Sequence, residues 1–176
     1  MLIYILIGLG VFVGGLLLLA LFLPSKYHIE KKIVISKTLP EVYERIADLN
    51  YYAKWNPWQA ADPTAKGTVT GEPKTPGHRY AWEGKKTGIG HLTLRDLDMK
   101  HVHFDLEFIT PFQSKASDDW MFEEWGNGEC KVTWSNNGSL SYPVARLIGP
   151  FMNGMMNKQF EKGLVSLKEM CEGTEK

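Results

Sequence analysis

The stretch HVHFDLEFI, residues 101–109, alternates apolar and polar side chains with a period of two. One face carries large apolar side chains, Val102, Phe104, Leu106 and Phe108, and the other carries His101, His103, Asp105 and Glu107. This period is typical of an antiparallel strand with one face buried and the other in water. The stretch therefore predicts a sheet whose apolar face is covered by another layer.

Segments on both sides of this strand continue the pattern and predict a run of hairpins. The predicted strands are 27–36, 79–83, 89–97, 114–125 and 129–135, with a weak strand and loops between 64 and 76. Glycine-containing turns at 84–88 and 126–128 join two of the hairpins. Between the first two strands, 39–48 predicts a short amphipathic helix with Thr38 as its cap.

The covering layer is predicted near the C-terminal end of the chain. Apolar residues recur every three or four positions from Phe151 to Cys171, which is the pattern of a long amphipathic helix. Gly149-Pro150 is predicted to break the chain before this helix, and Gly173 to end it. The order of elements indicates an α+β fold, with a curved antiparallel sheet wrapped around a long C-terminal helix.

The N-terminal segment has a different composition. No residue from Leu2 to Leu23 is charged, and a helix of this length spans roughly 33 Å, against about 30 Å for the hydrocarbon core of a bilayer. We therefore predict one transmembrane helix, with membrane contact through residues 2–23. The predicted division is an anchor over 1–25, a folded domain over 26–172 and a frayed tail over 173–176.

A cleaved signal peptide is the main alternative to an anchor. It needs a basic start and small residues before the cut, whereas no Lys or Arg precedes this segment and bulky residues end it. Several lysines follow the span, so the positive-inside rule places the domain on the cytoplasmic side. Gly10 and Gly14 have the spacing that lets two such helices pair as a homodimer, although small residues are also common in membrane helices.

The charge balance limits the remaining partners. The chain has 20 Lys and Arg and 20 Asp and Glu, which gives a formal net charge of zero. It lacks a basic block that would supply phosphate contacts, so we predict no nucleic-acid partner. The segment after the anchor is long enough to bury one sizeable core.

Several stretches resemble the START-like superfamily, also called SRPBCC or polyketide-cyclase/dehydrase-like. They are KKIVISKTLPEVYERIADLNYYAKWNPW (31–58), YAWEGKKTGIGHLTL (80–94), VHFDLEFITPFQS (102–114), VTWSNNG (132–138) and FEKGLVSLKE (160–169). The resemblance covers almost everything after Ser25 and implies the helix-grip fold. It also implies an apolar cavity between sheet and C-terminal helix, which in the superfamily holds lipids, sterols, polyketides or hormones and in a few members supports catalysis.

A heavy aromatic and methionine content supplies candidate ligand-binding residues for such a cavity. They are Trp55, Trp58, Tyr80, Trp82, Phe104, Trp120, Phe122, Trp134, Met152, Met155, Met156 and Phe160. Aromatic rings supply area and methionine adapts its shape, which suits a flat or greasy ligand. For any one of these residues ordinary core packing is the better explanation, and only the resemblance makes the set a candidate site.

Other chemistry-bearing residues receive weaker interpretations. His101 and His103 point the same way from one strand and have metal-ligand chemistry, but their face is the predicted solvated one, so we predict no metal site. Cys130 alternates with apolar Val132 and is predicted to be a core residue. Candidate acids or bases, which more often lie on solvated strand faces, are Glu83, Asp118, Asp119, Glu123 and Glu124.

These observations predict a membrane-anchored START-like domain that binds a hydrophobic small molecule, either a lipid or an aromatic, polyketide-like compound. No nucleophile elbow, phosphate loop or zinc motif is present in the sequence, so we predict no catalytic residue and no cofactor. Two alternatives remain. One is an enzyme of cyclase or aromatase type acting on an apolar substrate, and the other is a protein-interaction module of chaperone-activator type.

Overall fold

A long apolar helix precedes one continuous sheet in the computed structural model, which describes residues 1–173. Helix α1 spans Leu2–Phe22 and is followed by strand β1 (Lys26–Ile35). Three short helices come next: α2 (Leu39–Ala47), α3 (Leu49–Trp55) and α4 (Pro57–Ala61). The remaining elements are β2 (Lys66–Thr70), β3 (Arg79–Gly84), β4 (Gly88–Leu97), β5 (His101–Thr110), β6 (Ser114–Glu124), β7 (Cys130–Ser139) and α5 (Val144–Glu172).

The seven strands form one antiparallel sheet in the order β1-β7-β6-β5-β4-β3-β2. Val102 and Phe104 on β5 are buried, as the alternation predicts. The register shifts at two points along β4, between Ile89 and Gly90 and between Leu94 and Asp96. Such irregularities bend a strand and increase its twist, so they help the sheet to curve around the helices. The predicted α+β class is confirmed.

Helix α5 runs along β1 in the same direction as that strand. Lys31 on β1 pairs with Glu161 at 2.6 Å, and Lys168 Nζ donates to the backbone oxygen of Val34 at 2.9 Å. Farther on, the backbone N–H of Ser36 donates to a carboxylate near the end of α5 at 2.7 Å. The first turns of α5 therefore lie beside the start of β1.

The predicted start of the C-terminal helix is wrong. Helix α5 begins at Val144 instead of Phe151 and contains Pro150. A proline in a helix removes one backbone hydrogen bond. Gly149, next to this proline, approaches Leu140 closely, since a Cβ added there would lie 2.6 Å from Leu140 Cδ1. The end is as predicted, because Gly173 adopts a left-handed φ of 72°; residues 174–176 of the predicted tail lie outside the described residues.

Helix α1 is long and apolar enough to cross a bilayer, and most of it is uncovered by the rest of the chain. Its last turns contact the domain: Ala20 is fully buried, and the Tyr142 hydroxyl donates to the backbone oxygen of Leu17 at 3.2 Å. A Cβ added at Gly10 or Gly14 would meet no atom of the described residues within 4 Å. That side of α1 is therefore free for a second helix, and the homodimer stays a prediction.

We name the two ends of the sheet: the anchored end is the one from which helix α1 leaves the domain, and the distal end is the opposite one. The start of β1 lies beside the end of β7, where Lys26 pairs with Ser139. The β3–β4 turn and the β5–β6 loop lie at this same end of the sheet. The anchored end therefore consists of the starts of β1 and β2 with residues 85–87, 111–113 and 140–143. The distal end carries the β4–β5 and β6–β7 turns.

Candidate ligand-binding site

Four aromatic rings from four elements meet between the sheet and α5. Trp55 packs edge-on against Trp120 and Trp134, with ring centroids 5.6 and 6.1 Å apart. Trp120 stacks on Trp134 at 4.5 Å, and Trp134 stacks on Phe160 at 3.8 Å. The structure brings these four sequence-predicted site residues together. Their rings touch one another, however, so a ligand has no space between them in this conformation.

The other predicted residues fall into three groups by burial. Those at most 8% exposed are Trp55, Tyr80, Phe104, Trp120, Phe122, Trp134, Met156 and Phe160. Trp58, Trp82 and Met152 are half-buried against this core. Met155 is 58% exposed, on the solvent side of α5, so it does not line the interior. The ligand-binding role of the set remains a prediction.

A carboxylate lies at the centre of this aromatic cluster. Asp118 is 4% exposed, and its Oδ1 accepts hydrogen bonds from Trp134 Nε1 at 2.9 Å and Asn136 Nδ2 at 3.0 Å. Its Oδ2 accepts from Trp120 Nε1 at 3.1 Å. The Tyr27 hydroxyl donates to Asn136 Oδ1 at 2.8 Å and extends the network to β1. Three N–H donors, none of them cationic, thus satisfy a buried acid.

Burial raises the pKa of Asp118 to about 6, even though its three hydrogen bonds act in the opposite direction. Within residues 1–173 the side chain forms no ion pair that would offset the desolvation. Burial also raises the pKa of Tyr27 to about 12, so this phenol remains protonated. A carboxyl with a pKa near 6 exists in both protonation states around neutral pH.

The expectation that the acidic residues of β6 lie on a solvated face is wrong for Asp118. The sequence does indicate an inward position for Asp118, because Asp118, Trp120 and Phe122 are two positions apart and share one face of the strand. Asn136 and Tyr27 were missed altogether. Asn136 appears in a polar stretch that gives no pattern by itself, and its role depends on a partner on a neighbouring strand.

The other candidate acids lie away from the interior. Glu83 and Glu124 are exposed, and Glu123 pairs with Lys131 at 2.7 Å. On the outer face, Asp119 Oδ1 lies 2.7 Å from His103 Nδ1. The His101 ring stacks on His103 on the same half-exposed face. Cys130 is fully buried as predicted, and burial raises the pKa of its thiol to about 11.

Closer to the anchored end, the inner face of the sheet is less covered. We call Trp58, Trp82, Leu106, Phe108 and Met152 the inner apolar surface; all five are half-buried. Trp82 packs edge-on against Phe108 with centroids 5.7 Å apart. Small residues lie opposite them on neighbouring strands: Gly90 pairs with Trp82 and Phe108, and Ala116 pairs with Leu106 and Gly138. Asp118 lies two positions beyond Ala116 on the same strand face, toward the distal end.

Two surface cavities, of about 380 and 400 Å³, lie at the distal end. The first is between α2 and the end of α5 and is lined by Lys37, Pro40, Glu41, Glu44, Arg45 and Cys171. The second is lined by residues of the β6–β7 turn. Neither contains a sequence-predicted site residue, and charged side chains line much of both. They do not suit a greasy ligand.

The sequence profile of the family described as polyketide cyclase / dehydrase and lipid transport matches residues 26–172. The chain belongs to this family. The match leaves α1 outside and covers every strand and α5. No curated protein matches the sequence significantly.

Solved structures share the fold of this polyketide cyclase/dehydrase family member at low identity. ZhuI aromatase/cyclase from Streptomyces sp. R1128 is 16% identical with a TM-score of 0.62, covering 84% of this chain and 94% of that one. MLL2253 from Mesorhizobium loti is 10% identical with a TM-score of 0.63, covering 85% and 100%. DynU16, from the dynemicin biosynthetic locus, is 12% identical with a TM-score of 0.58, covering 82% and 47%. At these identities the likeness shows the fold alone.

Proposed function

We propose that the chain is a membrane-anchored domain that binds a hydrophobic small molecule between the sheet and α5, on the cytoplasmic side of the bilayer. The ligand class is lipid-like or aromatic and polyketide-like. One observation carries the proposal: the inner apolar surface is half-buried at the same end of the sheet from which α1 leaves the domain. An apolar ligand that dissolves in the bilayer would therefore meet the site beside its reservoir.

The energetics favour such an arrangement. Shielding a ligand from water contributes about 0.8 kcal/mol for each CH₂ group buried. The half-buried side chains of the inner apolar surface gain from the same event, because the ligand removes their remaining exposed area from water. The family description, which includes lipid transport, and the fold shared with an aromatase/cyclase support this ligand class.

Binding requires the first turns of α5 to move. In the second half of this helix, Phe160, Leu164 and Leu167 are each at most 3% exposed against the sheet and short helices. In its first half, Val144, Ile148 and Phe151 are 46–80% exposed. We propose that the first half moves away from the inner apolar surface while the second half stays packed. Pro150, which cannot donate a backbone hydrogen bond, makes this half the easier one to displace.

A second candidate is an enzyme of cyclase or aromatase type. Asp118 favours it, because a buried carboxyl whose pKa is about 6 can both give and take a proton near neutral pH. The candidate needs a substrate within hydrogen-bond reach of Asp118 Oδ2, which accepts a single hydrogen bond from residues 1–173. Binding alone is the first choice, since the indole rings of Trp120 and Trp134 close access to this carboxyl.

A photoactivatable diazirine fatty acid tests the proposal in the full chain reconstituted in nanodiscs. Peptide mass spectrometry should find label on the inner face of β5 and on α5, in addition to α1. Ala116→Trp fills the inner face and should remove the β5 and α5 labels. The matched control is Lys115→Trp, on the outer face of the same strand, and it should keep them. Labelling confined to α1 in the unmodified chain would contradict the proposal.

A further inference from the structure

The anchored end of the domain combines exposed apolar residues with unpaired lysines. Phe112, in the β5–β6 loop, is 73% exposed, and Tyr142 and Val144, before and at the start of α5, are 44% and 54% exposed. Large apolar side chains on a protein surface mark contact with another apolar phase when they cluster at one site. Here the strand register places both segments at one end of the sheet.

Positive charge collects at the same end. Lys26, Lys66, Lys85 and Lys86 are exposed, and within residues 1–173 none of them forms an ion pair. Three acidic side chains lie there as well: Glu107 is paired with Lys115 at 2.7 Å, Glu83 is exposed, and Asp62 is buried beneath the 85–87 turn, where it accepts the backbone N–H groups of Lys86 and Thr87. Because the whole chain has a formal net charge of zero, this excess of positive charge is local.

The contact between α1 and the domain fixes how deep this end would lie. Tyr142 donates to the backbone oxygen of Leu17, which precedes the end of α1 at Phe22 by about 7.5 Å along the helix axis. If α1 spans a bilayer, Tyr142 cannot remain in bulk water. Tyrosine at such a depth is typical of the membrane–water interface, where its ring is in the apolar layer and its hydroxyl is solvated or bonded.

We propose that the anchored end of the domain is itself inserted into the membrane–water interface of the bilayer that α1 spans, with Phe112, Tyr142 and Val144 against the acyl chains and Lys85 and Lys86 on anionic headgroups. This inference rests on the membrane anchoring in the proposed function. The occupant of the surface is an anionic lipid bilayer, because both the apolar side chains and the lysines find partners there. A protein partner would have no reason to lie at the depth of Leu17.

The inserted end also gives the inner apolar surface a direct route to lipid. The turn over residues 85–87 and the loop over residues 111–113 are adjacent, since the Ile89 N–H donates to Thr110 Oγ1 at 3.0 Å. Together they border the end of the sheet at which Trp82 and Phe108 are half-buried. An apolar molecule leaving the bilayer there would not cross bulk water.

Single-site fluorescence tests the insertion in the full chain. Cys130 is buried and Cys171 half-buried, and burial raises the pKa of both thiols to about 11, so a thiol-reactive NBD dye will prefer an introduced exposed cysteine. Phe112→Cys carries the dye at the anchored end. The matched control is Met99→Cys, which replaces a 69% exposed residue in the β4–β5 turn at the distal end. The chain without either substitution measures background labelling.

In vesicles of phosphatidylglycerol and phosphatidylethanolamine, doxyl-labelled lipid should cause a loss of NBD emission at position 112 and none at position 99. Lys85→Glu with Lys86→Glu should abolish the loss at position 112, whereas Lys100→Glu at the distal end should preserve it. Unchanged emission at position 112 in protein that resists carbonate extraction would overturn the insertion and leave the anchor intact. Release of the protein by carbonate would instead overturn the anchoring on which it rests.

Discussion

Trp134 on β7 and Phe160 on α5 lie face to face with ring centroids 3.8 Å apart, and this stack closes the centre of the space between sheet and helix. Both side chains are at most 2% exposed. The second half of α5 is therefore part of the core, and any ligand space must develop toward the anchored end. This geometry is the reason for assigning the movable part of the helix to its first turns.

Phe160→Ala should destabilise the protein by about 3–5 kcal/mol, because it removes a buried ring and leaves a cavity beside Trp134. Chemical denaturation of the detergent-solubilised chain measures the change. Phe151→Ala is the control on the same helix, since Phe151 is 80% exposed and its loss should change the free energy of unfolding by less than about 0.5 kcal/mol. Equal effects of the two substitutions would show that α5 is not packed through Phe160.

Two glycines of α5 should respond oppositely to alanine. A Cβ at Gly163 would lie 2.9 Å from both Pro57 Cγ and Trp134 Cζ3, two rigid neighbours, so Gly163→Ala should lower the free energy of unfolding. A Cβ at Gly154 would meet nothing within 4 Å in the part of the chain that the structure describes, so Gly154→Ala should raise the free energy of unfolding by about 0.5–1 kcal/mol through helix propensity. Thermal unfolding of both variants checks the signs, and a stabilising Gly163→Ala would refute the close helix–sheet contact.

Asp118 should make the stability pH-dependent in the direction opposite to most carboxylates. Its pKa rises from 3.8 to about 6 on folding, so its contribution to stability is complete below pH 4 and is lost as the pH rises through 6. Relative to Asp118→Asn, the wild-type free energy of unfolding should therefore fall by up to about 3 kcal/mol across this window. Denaturation at a series of pH values measures the difference. A difference that rises with pH would contradict the burial of a carboxyl at this position.

Asp119→Asn serves as the control for that series. Asp119 is on the outer face of the same strand, where its Oδ1 lies 2.7 Å from His103 Nδ1 and both side chains are partly exposed to solvent. This variant should keep the wild-type fall between pH 4 and 6. If the free energy of unfolding no longer fell between pH 4 and 6 in either variant, the pH dependence could not be assigned to Asp118 alone.

Asp62 should hold the turn over residues 85–87 in place. It is 1% exposed, and its Oδ2 accepts the backbone N–H groups of Lys86 at 2.8 Å and Thr87 at 3.3 Å. The bond from Lys86, the bond from the Thr64 hydroxyl and the bond from Thr87 lower its pKa to about 2, so its contribution is present above pH 4 and is lost as the pH falls through 2. Asp62→Ala should speed hydrogen exchange at Lys86 and Thr87, as measured by mass spectrometry.

Asp98→Ala provides the matched comparison at the distal end, where Asp98 accepts the backbone N–H groups of Lys100 and His101. Its effect should be confined to that turn. If Asp62→Ala left exchange at residues 85–87 unchanged, the turn would be held by other contacts.

Most of the fold was predictable because its signals are local. The strict alternation of 101–109 predicts which face of β5 is buried. At the start of α2, the backbone N–H of Thr38 donates to the Glu41 carboxylate at 3.0 Å and caps the helix. The predicted end of β7 at Ser135 was too early. Asn136, Asn137 and Gly138 have a turn-like composition, yet they continue the strand because their partners are on β1 and β6.

The candidate site was predictable only in part, because its geometry depends on pairs that are distant in sequence. Composition identified the aromatic residues but did not distinguish Trp134, which is sealed in the core, from Trp82, which is half-buried at the anchored end. The environment of the Asp118 carboxyl depends on hydrogen-bond donors from β6 and β7 and on the packing of α5 against Trp134. Such a network requires the register, which single residues do not reveal.

Native mass spectrometry of the full chain, released from detergent under mild conditions, tests the proposed binding site. We expect an added mass from a co-purified apolar molecule on the wild-type protein and on Lys115→Trp, and none on Ala116→Trp. A wild-type spectrum containing only the bare chain, or an equal added mass on Ala116→Trp, would contradict ligand binding on the inner face of the sheet.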